Sequence, residues 1–184
     1  MGTIIIVAVV AIVAIFVVSI YNKLVKLKNT VKSSWSDIDV QLKKRFDLVP
    51  NLVETVKGYA GHEKDTLENV TRARTQAVSA QGVGAQAAAE GELSQALGRL
   101  MMVVEQYPDL KANQNFLSLQ EELTSTENKI GFSRQFYNDE VMKYNTRIQS
   151  VPTNIVAGVF RFTEEEFFEL QDEAAREAPK VSFS

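Results

Sequence analysis

The sequence predicts an all-α protein, with an N-terminal transmembrane helix continuous with an elongated antiparallel helical bundle of about four to five helices. Three observations carry that expectation. Residues 4–20 form an almost unbroken apolar run. Beyond it, apolar residues recur every three or four positions, the spacing of one helix face. Proline and glycine are scarce, at 4 and 9 of 184 residues, so few positions interrupt those faces.

The apolar run contains only Ile, Val, Ala and Phe, apart from Ser19. With Gly2, Thr3 and Tyr21 it covers about 20 residues, or roughly 30 Å of helix, the thickness of a bilayer core. Its 13 Ile, Val and Phe residues each favour insertion by about 0.3–0.6 kcal/mol at the helix centre. A core helix of such uniform apolarity needs protein on every side, and the remaining chain is too small to supply it. A cleaved signal peptide calls for basic residues ahead of the run and a small-residue site after it. Neither occurs, since Ser19-Ile20-Tyr21-Asn22 is a poor cleavage sequence. The expected organisation is a short external tail at 1–3, a transmembrane helix at 4–21, a helical domain at 22–178 and an extended tail at 179–184. No Lys or Arg precedes the run, whereas Lys23, Lys26, Lys28 and Lys32 follow it. The positive-inside rule then places the N-terminus outside and the C-terminal domain in the cytoplasm. The same lysines suit anionic headgroups, at about 1 kcal/mol each near the surface, or a solvated first turn.

From Leu24 an in-phase stripe runs through Lys28, Val31, Trp35, Ile38, Leu42, Arg45, Val49, Leu52, Val56 and Tyr59. No turn signal separates it from the apolar run, so one helix is expected to leave the bilayer and continue. Pro50 lies within the stripe and should kink the helix or end it near Val49; the unbroken phase favours a kink. Gly58 and Gly61 mark a weak point before a second helix at about 62–80. Residues 81–91 are rich in Gly and Ala and read as a hinge or loop, with helix left open. A third helix at about 92–106 carries Leu93, Leu97, Leu100, Met101 and Val104, and Tyr107-Pro108-Asp109 makes a turn.

The longest soluble helix should run from about 110 to 150. Phe116, Leu123, Ile130, Tyr137, Tyr144 and Val151 recur at intervals of seven, beside a row of Glu127, Arg134, Val141 and Ile148. A strict seven-residue repeat is coiled-coil-like, and about 60 Å of helix needs equally long partners. A linker at 155–162 follows. Thr163 with Glu166 then makes a capping box for a final helix of about 14 residues ended by Pro179.

Composition removes several chemistries. A net charge of −3 is too small to argue for a nucleic-acid partner, and none is expected. The charge is uneven: residues 21–80 hold 11 Lys/Arg against 7 Asp/Glu, and residues 81–184 hold 9 against 16. There is no cysteine, so thiol chemistry and Cys-ligated metals are excluded. His62 is the single histidine. His62-Glu63 resembles the opening of a zinc-protease helix, but Thr66 stands where the second histidine is required. No phosphate-binding glycine pattern occurs, and no metal, cofactor or catalytic residue is expected. Asp37, Asp39, Asp47 and Glu54 read as structural charges, not as an acid–base pair. Three adjacent carboxylates at 164–166 point in different directions around a helix and suit a solvated turn better than a cation.

Arg45 falls in phase with the apolar stripe. It is expected to be partly buried and paired with a carboxylate, fixing helix register. Tyr137, Tyr144, Phe132 and Phe136 are read as core in preference to a ligand-binding stripe. Trp35, Arg45, Pro50, Tyr137 and Tyr144 are thus the structural or register candidates.

Several blocks of this sequence resemble the LemA family. They are YNxLVxL at 21–27, WSDIDVQL at 35–42, DLVPNLVETVKGY at 47–59, YPDLKA at 107–112, FYN at 136–138, YN at 144–145 and APKVSF at 178–183. The resemblance spans nearly the whole chain, and the two longest blocks are specific. It implies a bacterial, membrane-anchored, all-helical protein, hence the cytoplasmic (inner) membrane. It carries over no catalytic residues. It also implies associations with membrane stress, a membrane zinc protease or the organisation of intracellular membranes. The expected function is a single-pass membrane-anchored scaffold that self-associates, docks membrane proteins, or does both. The alternatives are a lipid-contacting membrane-remodelling or stress protein and, last, an enzyme with an unrecognised site.

Overall fold

The computed structural model describes residues 1–169. Among them the chain forms six α-helices and no strand: α1 (Gly2–Lys57), α2 (Lys64–Ser79), α3 (Val83–Val104), α4 (Pro108–Lys111), α5 (Gln114–Gln149) and α6 (Thr153–Val159). Two compact units share these helices. The first comprises Met1–Asp39 and Gly131–Phe167; the second comprises Val40–Ile130 with residues 168 and 169.

In the first unit, residues 2–16 of α1 are exposed throughout, and full burial starts at Ile20. Leu24, Val31 and Ile38 follow at helical spacing and are buried, while Lys28 and Trp35 are half-buried. In the second unit the same phase buries Leu42, Arg45, Val49, Leu52 and Val56. Tyr59 lies beyond the end of α1 and is exposed, so the stripe stops with the helix.

Pro50 stands inside α1, which continues through it to Lys57. A proline has no N–H for the carbonyl four residues earlier, which leaves the Phe46 oxygen without its helical donor. Arg74 of α2 donates from Nε to that oxygen at 3.0 Å. A side chain from the next helix thus takes the place of the missing amide.

Residues 81–91 do not form a loop beyond Gly82. α3 starts at Val83, nine residues ahead of the expected start, and it absorbs Gly84 and Gly91. The physical reason is alanine: Ala85, Ala87, Ala88 and Ala89 are the strongest helix formers and outweigh two glycines at about 1 kcal/mol each. Gly82 adopts φ +87°, a conformation glycine takes without a Cβ clash, and it makes the reversal between α2 and α3. Gln86, buried on the first turns of α3, donates from Nε2 to the Ala77 carbonyl at 3.1 Å and satisfies an orphan oxygen at the end of α2.

α5 is 36 residues long. Asn113 caps it: the Phe116 amide donates to Asn113 Oδ1 at 3.1 Å, and Asn113 Nδ2 donates to the Tyr59 hydroxyl at 2.9 Å. Phe116, Leu123 and Ile130 are buried in the second unit, and Tyr137 and Tyr144 in the first. Val151 lies past the helix end and is exposed.

Two expectations for the C-terminal part are corrected. Most of the supposed linker is the short helix α6. The final helix does not start at Thr163, because residues 162–169 carry no helix, and Thr163 and Glu166 form no capping box. Their carbonyls instead accept hydrogen bonds from tyrosines of α5. A capping box contributes about 1 kcal/mol, and several tertiary hydrogen bonds to the same backbone exceed that. The rest of that helix, Pro179 and the tail at 179–184 lie outside the described residues.

Candidate functional site

Two polar constructions stand out, one in each unit. In the first, residues 162–167 form a strap held by α1 and α5. The Tyr144 hydroxyl donates to the Thr163 carbonyl at 2.9 Å, and the Tyr137 hydroxyl to the Glu166 carbonyl at 2.7 Å. Asn145 bonds both sides of Glu165: its Nδ2 donates to the carbonyl and its Oδ1 accepts from the amide, each at 2.9 Å. Gln149 Nε2 donates to the Glu164 carboxylate at 2.7 Å. From α1, Lys28 Nζ lies 3.0 Å from the Glu165 carboxylate. Tyr21 sets its ring 4.8 Å from Phe160 and 5.7 Å from Phe162.

These contacts order the three strands of chain. As the strap runs from Phe160 to Glu166, its partners on α1 advance from Tyr21 to Lys28. Its partners on α5 retreat from Gln149 to Tyr137. α1 and α5 are therefore antiparallel within this unit, with the strap parallel to α1. Trp35 closes the array, its ring 5.5 Å from that of Tyr137 at 59°. Burial, helped by the carboxylates of Glu165 and Glu166, pushes the Tyr137 hydroxyl up to about 12. Burial and Glu165 push Tyr144 in the same direction. Both hydroxyls stay protonated across the physiological range and act as hydrogen-bond donors.

In the second unit, Arg45 of α1 is a buried cation, 4% exposed. Its Nη1 donates to Glu90 Oε2 of α3 at 3.0 Å and its Nη2 to Ser94 Oγ at 3.0 Å, with the exposed Glu127 carboxylate of α5 at 4.0 Å. Burial raises the pKa of Glu90, while Arg45 and Gln86 pull it down. Beside the pair lies a cavity of 230 Å³ lined by Arg45, Ser94, Met101, Gln120, Thr124 and Glu127 among others. Gly98, which lacks a side chain, and the small Ser94 leave it room on α3. The ion pair joins α1 to α3.

The remaining sequence candidates are placed plainly. Lys23, Lys26 and Lys32 are exposed, and Lys28 is tied to the strap. Asp37, Asp39, Asp47 and Glu54 are exposed, and Glu54 pairs with Lys57 at 3.5 Å. His62 sits exposed in the turn before α2, and no group of three or more potential ligands fit for a metal occurs among the described residues. Phe132 and Phe136 correct the core expectation: they are 74% and 50% exposed, because the face of α5 that packs carries Ile130, Tyr137, Val141 and Tyr144. Sequence reasoning missed Glu90, Ser94, Arg74 and Asn145. A signal existed for Asn145, which adjoins Tyr144 in the YN block, and for Glu90, a lone carboxylate in an alanine-rich stretch.

The LemA family model matches residues 34–183. The chain belongs to the LemA family. This LemA-family chain is 28% identical over 138 residues to Protein LemA of Metamycoplasma hominis, covering 74% of the chain and 63% of that protein. It is 27% identical over 188 residues to Magnetosome protein MamQ 2 of Paramagnetospirillum magneticum, covering 88% of the chain and 68% of that protein. Magnetosome protein MamQ of Magnetospirillum gryphiswaldense is 25% identical over 174 residues, covering 80% of the chain and 64% of that protein. The chain thus spans about two thirds of these relatives. Among the described residues, α1 is long and apolar enough to cross a membrane, and its apolar run is almost wholly exposed. The apolar helix and the family membership together suggest a membrane-anchored helical protein.

Proposed function

We propose that this protein is a single-pass membrane-anchored scaffold whose helical part self-associates and docks other membrane proteins, without catalysis of its own. The observation that carries the reading is the pair Phe132 and Phe136. They lie one turn apart on α5, outside its packed face, and are exposed. Aromatic side chains in contact with water on a helix surface are the usual anchors of protein interfaces. The occupant best matched to them is a second copy of the chain. Anchoring confines copies to a plane in one orientation, which raises their effective concentration and lowers the cost of association.

The lysines after the apolar run favour an N-terminus outside and a helical part in the cytoplasm of a bacterial inner membrane. A membrane protease is a partner class that the family resemblance offers, and relatives named as magnetosome proteins make organisation of a membrane compartment a natural setting. Sizing of the full chain in mild detergent or nanodiscs tests self-association. A complex larger than one copy is expected, reduced by Phe132→Glu with Phe136→Glu. A monodisperse monomer at membrane-like concentration defeats the reading. His62→Ala is expected to leave assembly unchanged, and loss of a cellular phenotype with an intact fold would revive an enzymatic role.

A second reading, direct lipid contact, is favoured by the apolar surface of α6.

A further inference from the structure

We propose that α6 and Phe160 form a second membrane contact, lying in the headgroup interface beside the point where α1 leaves the bilayer. The inference rests on the reading that the apolar run of α1 spans a membrane. It concerns only the first unit, where α6, the strap and Tyr21 belong together.

The level of α6 along α1 follows from its contacts. Tyr21 ends the apolar run, and its ring meets Phe160, the residue that closes α6, at a tilt and Phe162 edge-on. α5 confirms the level from the other side. Asn145 of α5 and Lys28 of α1 both bond Glu165. The end of α5, at Gln149, lies about 6 Å nearer the N-terminal end of α1, at 1.5 Å per residue. That count ends α5 near the level of Leu24, and the contact of Phe160 with Tyr21 ends α6 next to Ile20, where the burial of α1 begins. The hydrogen bonds of Tyr144, Asn145 and Tyr137 to the strap fix that height.

At this level the surface is apolar. On α6, Ile155 and Val159 lie one turn apart and are 66% and 71% exposed, with the half-exposed Phe160 following Val159. The opposite side of α6 is packed through Thr153, Val156 and Ala157. The helix is thus apolar both inward and outward. Scattered exposed apolar residues need no explanation, but a contiguous outward row marks a contact surface. The occupant is lipid because Phe160, at the end of this surface, packs on Tyr21, the residue that ends the exposed apolar run of α1 assigned to the bilayer. The surrounding residues agree. Tyrosine favours the membrane interface, and exposed Lys23, Lys26 and Arg161 suit anionic headgroups. An apolar helix face buried 5–10 Å into the headgroup boundary is the usual geometry of interfacial helices.

The absence of cysteine makes a direct test practical. Single variants of the full chain, Val9→Cys, Ile155→Cys, Val159→Cys and Val78→Cys, carry a nitroxide label in nanodiscs of phosphatidylcholine and phosphatidylglycerol. All four positions are exposed, so the label displaces no core side chain. Accessibility to oxygen, which partitions into lipid, is compared with accessibility to an aqueous nickel chelate. The oxygen-to-nickel ratio at Ile155→Cys and Val159→Cys is expected several-fold above that at Val78→Cys and below that at Val9→Cys. Nickel accessibility equal to that at Val78→Cys overturns the inference while leaving the span intact. Shielding of both labels from both reagents also overturns it, by showing protein, such as a second copy, over α6. A nickel-accessible label at Val9→Cys overturns the span itself, and the inference with it.

Discussion

The two units of this protein solve the same problem with opposite chemistry. In the first, α1 and α5 hold the strap chiefly through neutral donors aimed at backbone carbonyls: Tyr137, Tyr144 and Asn145. In the second, a buried cation joins α1 to α3 through Glu90 and Ser94. Neutral side chains bonded to backbone lose about 1 kcal/mol each when deleted. A buried ion pair loses far more when one partner goes, because the other charge remains buried without compensation. Each unit is therefore vulnerable in its own way: the strap to the sum of many small bonds, the ion pair to one substitution.

The largest effect expected is at Arg45. Arg45→Met should destabilise the second unit by about 3–5 kcal/mol, measured by denaturant unfolding in detergent. Arg45→Met combined with Glu90→Leu should recover most of that loss, since replacing both charges with apolar groups is close to neutral. Equal losses in the single and double variants would show that the pair contributes packing alone. The raised pKa of Glu90 has a defined sign. The folded state binds the Glu90 proton more tightly than the unfolded chain. Stability from this group is therefore fully present below the ordinary carboxylate value of 4.5 and lost as pH rises through the raised value. Arg45→Met should steepen that loss, because it removes the main attraction that holds the carboxylate ionised.

Next in size is the Arg74 bond to the Phe46 carbonyl. Arg74→Met should cost about 1–3 kcal/mol, since it leaves that oxygen without a donor. In a Pro50→Ala background the same change should cost less, because the restored amide bonds Phe46 within the helix. Pro50→Ala alone should stabilise, with an upper bound of about 3 kcal/mol from helix propensity. Additive losses in the double-mutant cycle would separate Arg74 from Pro50.

A smaller effect belongs to the strap. Tyr137→Phe should cost about 1 kcal/mol. Trp35 is the single tryptophan and its ring lies tilted against Tyr137, so its fluorescence reports on the first unit. Because Tyr137 is pushed up from 10.0 to about 12, the folded state holds its proton more tightly than the unfolded chain. Its contribution is fully present below pH 10 and is lost as pH rises towards 12. The Trp35-detected melting temperature should fall over that window in the parent chain and change less in Tyr137→Phe. An identical alkaline slope in both would detach the strap from Tyr137.

The fold was legible where periodicity governs it. The phase of Leu24, Val31, Ile38, Leu42, Val49, Leu52 and Val56 gave the buried face of α1, and the seven-residue row gave that of α5. Arg45 stands out in the sequence because it falls in phase with apolar neighbours, and it lies against Glu90. Pattern failed where a local rule met a tertiary one. The alanines of residues 85–89 overrode the glycines that read as a loop. The Thr163–Glu166 box lost to tyrosines of α5 that lie about 20–30 residues earlier in sequence. Phe132 and Phe136 read as core because aromatic residues usually are, and periodicity alone does not say which of two adjacent faces packs.

Self-association in the membrane is tested most directly by single-cysteine crosslinking in native membranes, again exploiting the absence of cysteine. Phe132→Cys or Phe136→Cys should give a disulfide-linked dimer under mild oxidation, with little at the exposed control Val78→Cys. Crosslinking at the aromatic positions no greater than at Val78→Cys would contradict the proposed assembly.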